Sequence, residues 1–206
     1  LAAIAGSEVK HVVLELGGSD PFVVMPSADI DRAATVAVTA RNQNNGQSCI
    51  AAKRFIVHTD VYEEFTRLFA EKVSALAIGD PLDESTDVGP LATESGRDEL
   101  AAQVADAVAH GATVLAGGAA PDRPGWFYEP TVLVGITPDM RLHLEEAFGP
   151  VATVYRVADR EEALRVANGT TFGLSSALWT ADAEEEDWFI RRLDAGAVFV
   201  NGMTAS

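Results

Sequence analysis

The chain has 206 residues, of which 48% are hydrophobic, and its 31 acidic and 15 basic residues give a formal net charge of −16. This apolar content is enough for one packed domain, or one large lobe of a longer enzyme, and excludes a disordered chain. The acidic balance argues against nucleic acid and membrane surfaces as partners, because such a surface repels phosphate groups and anionic lipid.

Short β-rich runs alternate with amphipathic segments along the chain. In the first part of the chain, the sequence predicts strands at 11–16 and 22–25, a helix ending near 41, a strand at 54–57 and a helix from 60 to about 79. A loop at 79–92, a helix to about 110 and an extended segment at 127–136 follow. The last part contains a helix from 159 to 167, a strand at 177–179, a helix ending near 196 and a strand at 197–200. This alternation predicts one α/β domain with an open, largely parallel twisted sheet and helices on both faces.

Capping residues mark several of the predicted helix ends. Ser27 or Asp29 is a candidate N-cap for the first long helix, and Asp60 for the second. Asp159 begins a sequence typical of a capping box, and Gly111 is expected in the C′ position after the third helix.

The sequence contains one cysteine, Cys49, so an internal disulfide is excluded. The four histidines show no metal-ligand spacing, and no metal site is expected. No apolar run approaches the ~18 residues of a spanning helix, and no signal-peptide pattern is present. We therefore expect a cytoplasmic protein.

Cys49 follows the run Asn-Asn-Gly-Gln-Ser at 44–48, between a predicted helix and a predicted strand. A cysteine presented at a strand edge beside free backbone N–H groups is suited to act as a thiolate nucleophile and to hold an oxyanion. A buried cysteine that packs as a small apolar side chain fits the same pattern. The spacing alone leaves both interpretations open.

Glu15 is a candidate general base for such a nucleophile. It closes the apolar run at 12–16, and burial between apolar residues would make its carboxylate a stronger base. A partly exposed acid at a strand end is the alternative that the residue by itself favours.

Several motifs together resemble those of aldehyde dehydrogenases. They are Glu-Leu-Gly-Gly at 15–18, Asn-x-Gly-Gln-x-Cys at 44–49, Gly-Asp-Pro-Leu at 79–82, Val-Gly-Pro at 88–90, Glu-Ala-Phe-Gly-Pro at 146–150, and Asn168 with Phe-Gly-Leu at 172–174. Each motif alone is weakly specific, but their order from one end of the chain to the other is highly specific to this family.

The resemblance implies an NAD(P)-dependent oxidation of an aldehyde to a carboxylic acid. Cys49 would form a thiohemiacetal and then a thioester, and Glu15 would activate the water that hydrolyses the thioester. Glu146 would bind the hydroxyls of the nicotinamide ribose, and Phe148 would pack near the nicotinamide. Without the resemblance, a helix-end acid and a core aromatic are the simpler interpretations of these two residues.

The family's architecture implies that residues 1–10 end a helix of a preceding cofactor domain and that 11–206 form the catalytic domain. The dinucleotide-binding domain, an oxyanion asparagine and a C-terminal oligomerisation segment would lie outside this chain. We expect the 206-residue chain alone to be inactive as a dehydrogenase, and the full-length enzyme to be a homodimer or homotetramer.

The final residues resemble the succinate-semialdehyde branch of the family. Ser206 would bind the substrate carboxylate there. At Gln43, members of the branch carry an arginine, and a neutral amide cannot form the bidentate clamp of a guanidinium. Succinate semialdehyde is therefore the expected substrate, with Gln43 as a departure from the usual site.

Two other functions fit part of the pattern. A cysteine-dependent hydrolase or esterase would use Cys49, Glu15 and Lys53. A non-catalytic fragment that only binds or assembles is the second, although the presence of both Cys49 and Glu15 argues against it.

Overall fold

Seven strands form one sheet in the computed structural model, which describes residues 1–205. The strands are β1 (Pro21–Val24), β2 (Arg54–His58), β3 (Thr113–Ala116), β4 (Thr131–Val134), β5 (Val151–Val157), β6 (Ser175–Trp179) and β7 (Ala197–Val200). Their order across the sheet is β3-β4-β5-β2-β1-β6-β7, and only β3 and β4 pair antiparallel. The expected open, largely parallel α/β fold is confirmed.

Helices connect the parallel strands, as crossovers between such strands require. They are α1 (Ala2–Ser7), α2 (Ile30–Asn42), α3 (Thr59–Ser74), α4 (Glu94–Ala109), α5 (Arg141–Leu144), α6 (Arg160–Asn168) and α7 (Ala183–Ile190). The expected caps of α2 and α6 are confirmed, because the Asp29 and Asp159 carboxylates accept N–H groups of the first turns. Gly111 follows α4 with φ +100°, a conformation that favours glycine.

The buried strands place alternate residues on opposite faces of the sheet. Phe22 and Val24 pack into a core with α2 and α3, whereas Val23 and Met25 pack into another with α6 and α7. At the centre of the first core, Phe55 is fully buried between other aromatic rings. A third cluster fills the space between α4, β4 and α5.

The strand expected at 11–16 is absent, and that expectation is wrong. These residues have no regular secondary structure, and the side chains of Val13 and Leu16 are 76% and 71% exposed. The residues have β propensity, but they form no pairs with another strand. The positions on both sides of β1, the strand that follows them, are occupied by β2 and β6. Propensity without a paired strand does not form a sheet.

Several other element boundaries also differ from the sequence-based expectations. His58, not Asp60, caps α3, because its Nδ1 accepts the N–H of Asp60 at 3.2 Å. Helix α3 ends at Ser74, before the Gly79 turn, and α7 ends at Ile190, well before Gly196. Strands β3 and β5 were not predicted. Among the described residues, no helix is both long and apolar enough to cross a membrane.

Candidate active site

Three loops that precede parallel strands meet at one edge of the sheet. Glu15 lies before β1, Cys49 before β2 and Glu146 before β5, each by five or six residues. Because β1, β2 and β5 are adjacent and parallel, their amino ends lie at the same edge. Together with Phe148, these three residues line one open cleft of about 510 Å³. The structure thus brings together four residues, the first and last of which, Glu15 and Phe148, are 133 positions apart in the sequence.

A left-handed turn carries the chain from α2 to Cys49. Asn44 and Asn45 have φ values of 50° and 57°, a region that asparagine tolerates better than most residues. The side chain of Asn45 accepts the N–H of Gly89 at 2.9 Å and donates to the carbonyl of Pro90 at 3.2 Å. This pair of hydrogen bonds clamps the turn to the loop that precedes α4.

Cys49 lies in a tight turn rather than at a strand edge, which corrects the expected placement. The N–H of Ala51 donates to the Ser48 carbonyl at 3.1 Å, and β2 begins only at residue 54. Two residues before Cys49, the side-chain Oε1 of Gln47 accepts the N–H of Ala92 at 3.0 Å. Cys49 itself is a half-buried free thiol. The turn is therefore held from both sides, and Cys49 lines the cleft.

Two glycines let the Glu15 loop lie against both other loops. A Cβ at Gly17 would come within 2.5 Å of Glu146 Oε2, and a Cβ at Gly18 would collide with the carbonyl oxygen of Cys49. The N–H of Gly18 also donates to Glu146 Oε1 at 3.1 Å. The Gly-Gly pair is explained by these close approaches, not by a turn.

Lys53 is the residue of this site that the sequence analysis largely missed. Its Nζ lies 3.1 Å from Glu146 Oε1 and also reaches the turn that carries Cys49. Lys53 is 2% exposed. The position of Lys53 just before a buried strand, after two alanines, is the one sequence feature that could have indicated a buried cation.

Glu15 is exposed in this structure, contrary to the expected burial at a strand end. The segment from 11 to 17 contacts little of the sheet, so the apolar surroundings assumed for the carboxylate are not formed within residues 1–205. The expectation that burial strengthens Glu15 as a base is therefore wrong for the described chain. Its position in the cleft with Cys49 does not depend on that expectation.

Gln43 lies apart from this cleft. It lines a second cavity of about 370 Å³ with neighbouring residues of α2 and with Asp87, and its Nε2 is buried without a hydrogen-bond partner in the described part of the chain. Ser206 lies outside the described residues. No group of three or more His, Cys, Asp or Glu side chains within residues 1–205 is arranged to hold a metal ion.

Asp20 is a buried carboxylic acid beneath the site. Its Oδ1 accepts the N–H of Ser175 at 3.1 Å, and its Oδ2 has no partner among the described residues. Burial raises the pKa of Asp20 from 3.8 to about 6, although Ser175 and the cations Lys53 and Arg54 oppose the rise. The folded state therefore holds this proton more tightly than the unfolded state between pH 4 and 6.

We expect Asp20→Asn to remove this pH dependence. Because the folded pKa is the higher one, the contribution of Asp20 to stability falls as pH rises from about 4 to 6. The unfolding free energy of Asp20→Asn relative to wild type should therefore increase by about 2 kcal/mol over that range. Urea unfolding of the full-length protein at four pH values tests this. A difference that stays constant with pH would contradict it.

The sequence and the fold of the chain are similar to those of known proteins. The model of the aldehyde dehydrogenase family matches residues 1–206. The chain is 66% identical over 206 residues to a succinate-semialdehyde dehydrogenase [NADP(+)] of Mycobacterium avium, and 61% identical to one of Mycobacterium tuberculosis. It also superposes on the crystal structure of succinate-semialdehyde dehydrogenase from Burkholderia pseudomallei with a TM-score of 0.95 and 38% identity.

These similarities cover the whole chain but only part of each relative. The chain spans 44% of the Mycobacterium avium protein, 45% of the Mycobacterium tuberculosis protein and 42% of the Burkholderia pseudomallei chain.

Proposed function

The chain belongs to the aldehyde dehydrogenase family, and on that premise we propose that the whole protein oxidises succinate semialdehyde to the carboxylic acid with NAD or NADP. The observation that carries this proposal is the cleft that joins Cys49 and Glu15 with Glu146 and Phe148. A nucleophile, a base and two side chains suited to a nucleotide sugar and a flat ring thus line the same cleft.

The residues of the cleft fit a nicotinamide cofactor. Glu146 Oε1 is held by Gly18 and Lys53, so the carboxylate has a fixed orientation from which Oε2 can accept ribose hydroxyls. The ring of Phe148 is 45% exposed, which is unusual for phenylalanine and leaves it available to a planar group. When bound, the cofactor supplies the hydride acceptor. The relatives named for NADP(+) support testing NADP⁺ first.

Cys49 is the proposed nucleophile. Its thiolate adds to the aldehyde carbon and forms a thiohemiacetal, and oxidation of this adduct leaves a thioester on the sulfur. The turn at 48–51 is held by the hydrogen bonds described above, so the backbone that carries the thiol has little freedom. Such preorganisation lowers the entropic cost of reaching the reacting geometry.

Glu15 is the proposed base for the hydrolytic step. It takes a proton from the water that attacks the thioester carbonyl. The acyl group is transferred to the water oxygen, and Cys49 is released as a thiolate. The exposed apolar residues beside it, Val13 and Leu16, support the idea that another part of the full-length protein covers this segment. Cover of this kind would give Glu15 the apolar surroundings that residues 1–205 do not provide.

The wider organisation follows the relatives, which are more than twice as long. Residues 1–10 are proposed to end a helix of a preceding cofactor domain, and 11–206 to form the catalytic domain. Helix α1 buries none of its residues here, which supports that division. We further propose a cytoplasmic homodimer or homotetramer.

Ser206 is the proposed contact to the carboxylate of the substrate, whereas Gln43 lines the separate cavity described above and is not proposed to share that contact. We expect the full-length protein to form NADPH faster with succinate semialdehyde than with butanal, an uncharged aldehyde of the same carbon number. The ratio of kcat/KM should be at least tenfold, since a charged hydrogen bond to a carboxylate contributes about 1.5–3 kcal/mol. Absorbance of NADPH at matched concentrations measures it. Equal rates would remove the carboxylate-binding role, and no NADPH or NADH with either aldehyde would overturn the proposed function.

A cysteine hydrolase is the weaker alternative. It would need Lys53 as a base or a proton donor at the substrate, but the Lys53 ammonium is buried and directed at two backbone carbonyls and Glu146. Hydrolysis of an ester without any nicotinamide-dependent oxidation would support this alternative.

A further inference from the structure

Lys53 lies between the turn that carries Cys49 and the carboxylate of Glu146. Its Nζ is 2.8 Å from the carbonyl oxygen of Ser48, 2.9 Å from that of Cys49 and 3.1 Å from Glu146 Oε1. An ammonium group has three donors and no acceptor. Every donor of Lys53 therefore has one acceptor, and two of the three belong to the Cys49 turn.

We propose that Lys53 is a positioning residue whose ammonium ties the Cys49 turn to Glu146, so that the nucleophile and the ribose-binding carboxylate are oriented together. This inference rests on the proposed function, because only there does Glu146 bind a cofactor. It adds a residue and a coupling to that function: loss of one side chain should disturb cofactor affinity and thiol reactivity at once.

The charges around Lys53 predict that the link is sensitive to pH. Burial and the nearby Arg41 of α2 lower the pKa of Lys53 to about 8, while Glu146 before β5 and Asp20 before β1 oppose the shift. Arg41 is itself 1% exposed and hydrogen bonds to the Gly46 carbonyl at 2.6 Å. The ammonium is present below about pH 8 and is lost as pH rises through that value.

Neutral Lys53 cannot keep all three contacts. It would have two donors and one lone pair, and that lone pair would face a carbonyl or carboxylate oxygen. One contact would then become repulsive, so the turn and Glu146 would no longer be held in one arrangement. The geometry therefore predicts a concerted change in both groups above pH 8.

The test uses Lys53→Met and Lys53→Arg in the full-length protein, with Lys72→Met as a matched control. Lys72 pairs with Asp31 at 3.1 Å on the surface of α3, away from the cleft. Two readouts are measured from pH 6 to 10: the Kd of NADP⁺ by tryptophan fluorescence, and the rate at which iodoacetamide alkylates Cys49 without cofactor, by peptide mass spectrometry.

At pH 7, Lys53→Met should raise the Kd of NADP⁺ by about 10- to 100-fold, the range expected when a charged hydrogen-bonded partner is removed. Alkylation of Cys49 should slow by about tenfold, because the turn is no longer held. The Lys72→Met protein should match wild type in both readouts. A folded Lys53→Met protein with both values within twofold of wild type would overturn the proposal.

Lys53→Arg separates charge from stability. A guanidinium stays charged across the range, so the change in NADP⁺ affinity expected for wild type near pH 8 should be absent from this variant. If Lys53→Met does not fold, an NADP⁺ Kd that depends on pH in the same way in wild type and Lys53→Arg would overturn the proposal instead. A wild-type protein that neither binds NADP⁺ nor oxidises aldehydes contradicts the proposed function, whereas the alkylation comparison still decides whether Lys53 holds the Cys49 turn.

Discussion

Replacement of Cys49 by alanine should reduce aldehyde oxidation by at least ~10⁴-fold, because covalent capture of the aldehyde needs the sulfur. The variant should also accumulate no acyl adduct. Cys49→Ser, with similar volume but a much weaker nucleophile, should be nearly as inactive. The measurements are NADPH formation by the full-length protein and intact-mass detection of the thioester after a single turnover.

The fold should be unaffected by the Cys49 substitution. The residue is half-buried in a turn that is held by backbone and side-chain hydrogen bonds of its neighbours. The free energy of unfolding should therefore change by less than about 1 kcal/mol. Unchanged thermal unfolding therefore separates a lost nucleophile from a lost structure. An acyl adduct on the Cys49→Ala protein would show that another residue is the nucleophile.

Replacement of Phe55 by alanine should cost about 3–5 kcal/mol of unfolding free energy, the largest stability effect that we expect. Phe55 lies on β2 and is completely buried. Its ring centroid is 4.6 Å from that of Phe69 and 5.3 Å from that of Phe22, so the substitution opens a cavity between α3 and the sheet. Guanidinium unfolding of the full-length protein measures the loss.

Phe148→Ala is the matched control for this prediction. It removes the same side chain from a position that is 45% exposed, so the stability loss should be no more than about 0.5 kcal/mol. The two variants should also separate in function, because Phe148 lines the cleft and Phe55 does not. Equal stability losses would mean that the core around Phe55 collapses to fill the cavity.

The sequence predicted most of the parallel core because its strands have local signals. The runs at 22–25 and 54–57 are apolar and β-branched, and both are buried on two faces of the sheet. The segment at 11–16 is also rich in apolar and β-branched residues, but both sides of β1, the strand that it precedes, are occupied by β2 and β6, which only the sheet order reveals. Pairing is a property of the whole fold, and a local pattern cannot supply it.

The residues of the cleft were recognised from the motifs, but their electrostatics were not. A motif places Cys49 and Glu146 in one site without showing what lies under them. The contacts of Lys53 and the burial of Arg41 and Asp20 depend on how three loops pack, over separations of up to 128 residues between Gly18 and Glu146. Such three-dimensional neighbours leave no local trace in the sequence.

Because the cleft lies at the amino ends of β1, β2 and β5, its residues are separated from the helix caps that stabilise the opposite ends of the same strands. At the other edge, each of these strands runs into a helix with a side-chain cap, from Asp29, His58 and Asp159. Substitutions at those caps change stability by about 0.5–2 kcal/mol without touching the cleft. The stability of this domain can therefore change at one end of these strands while the residues that line the cleft vary at the other.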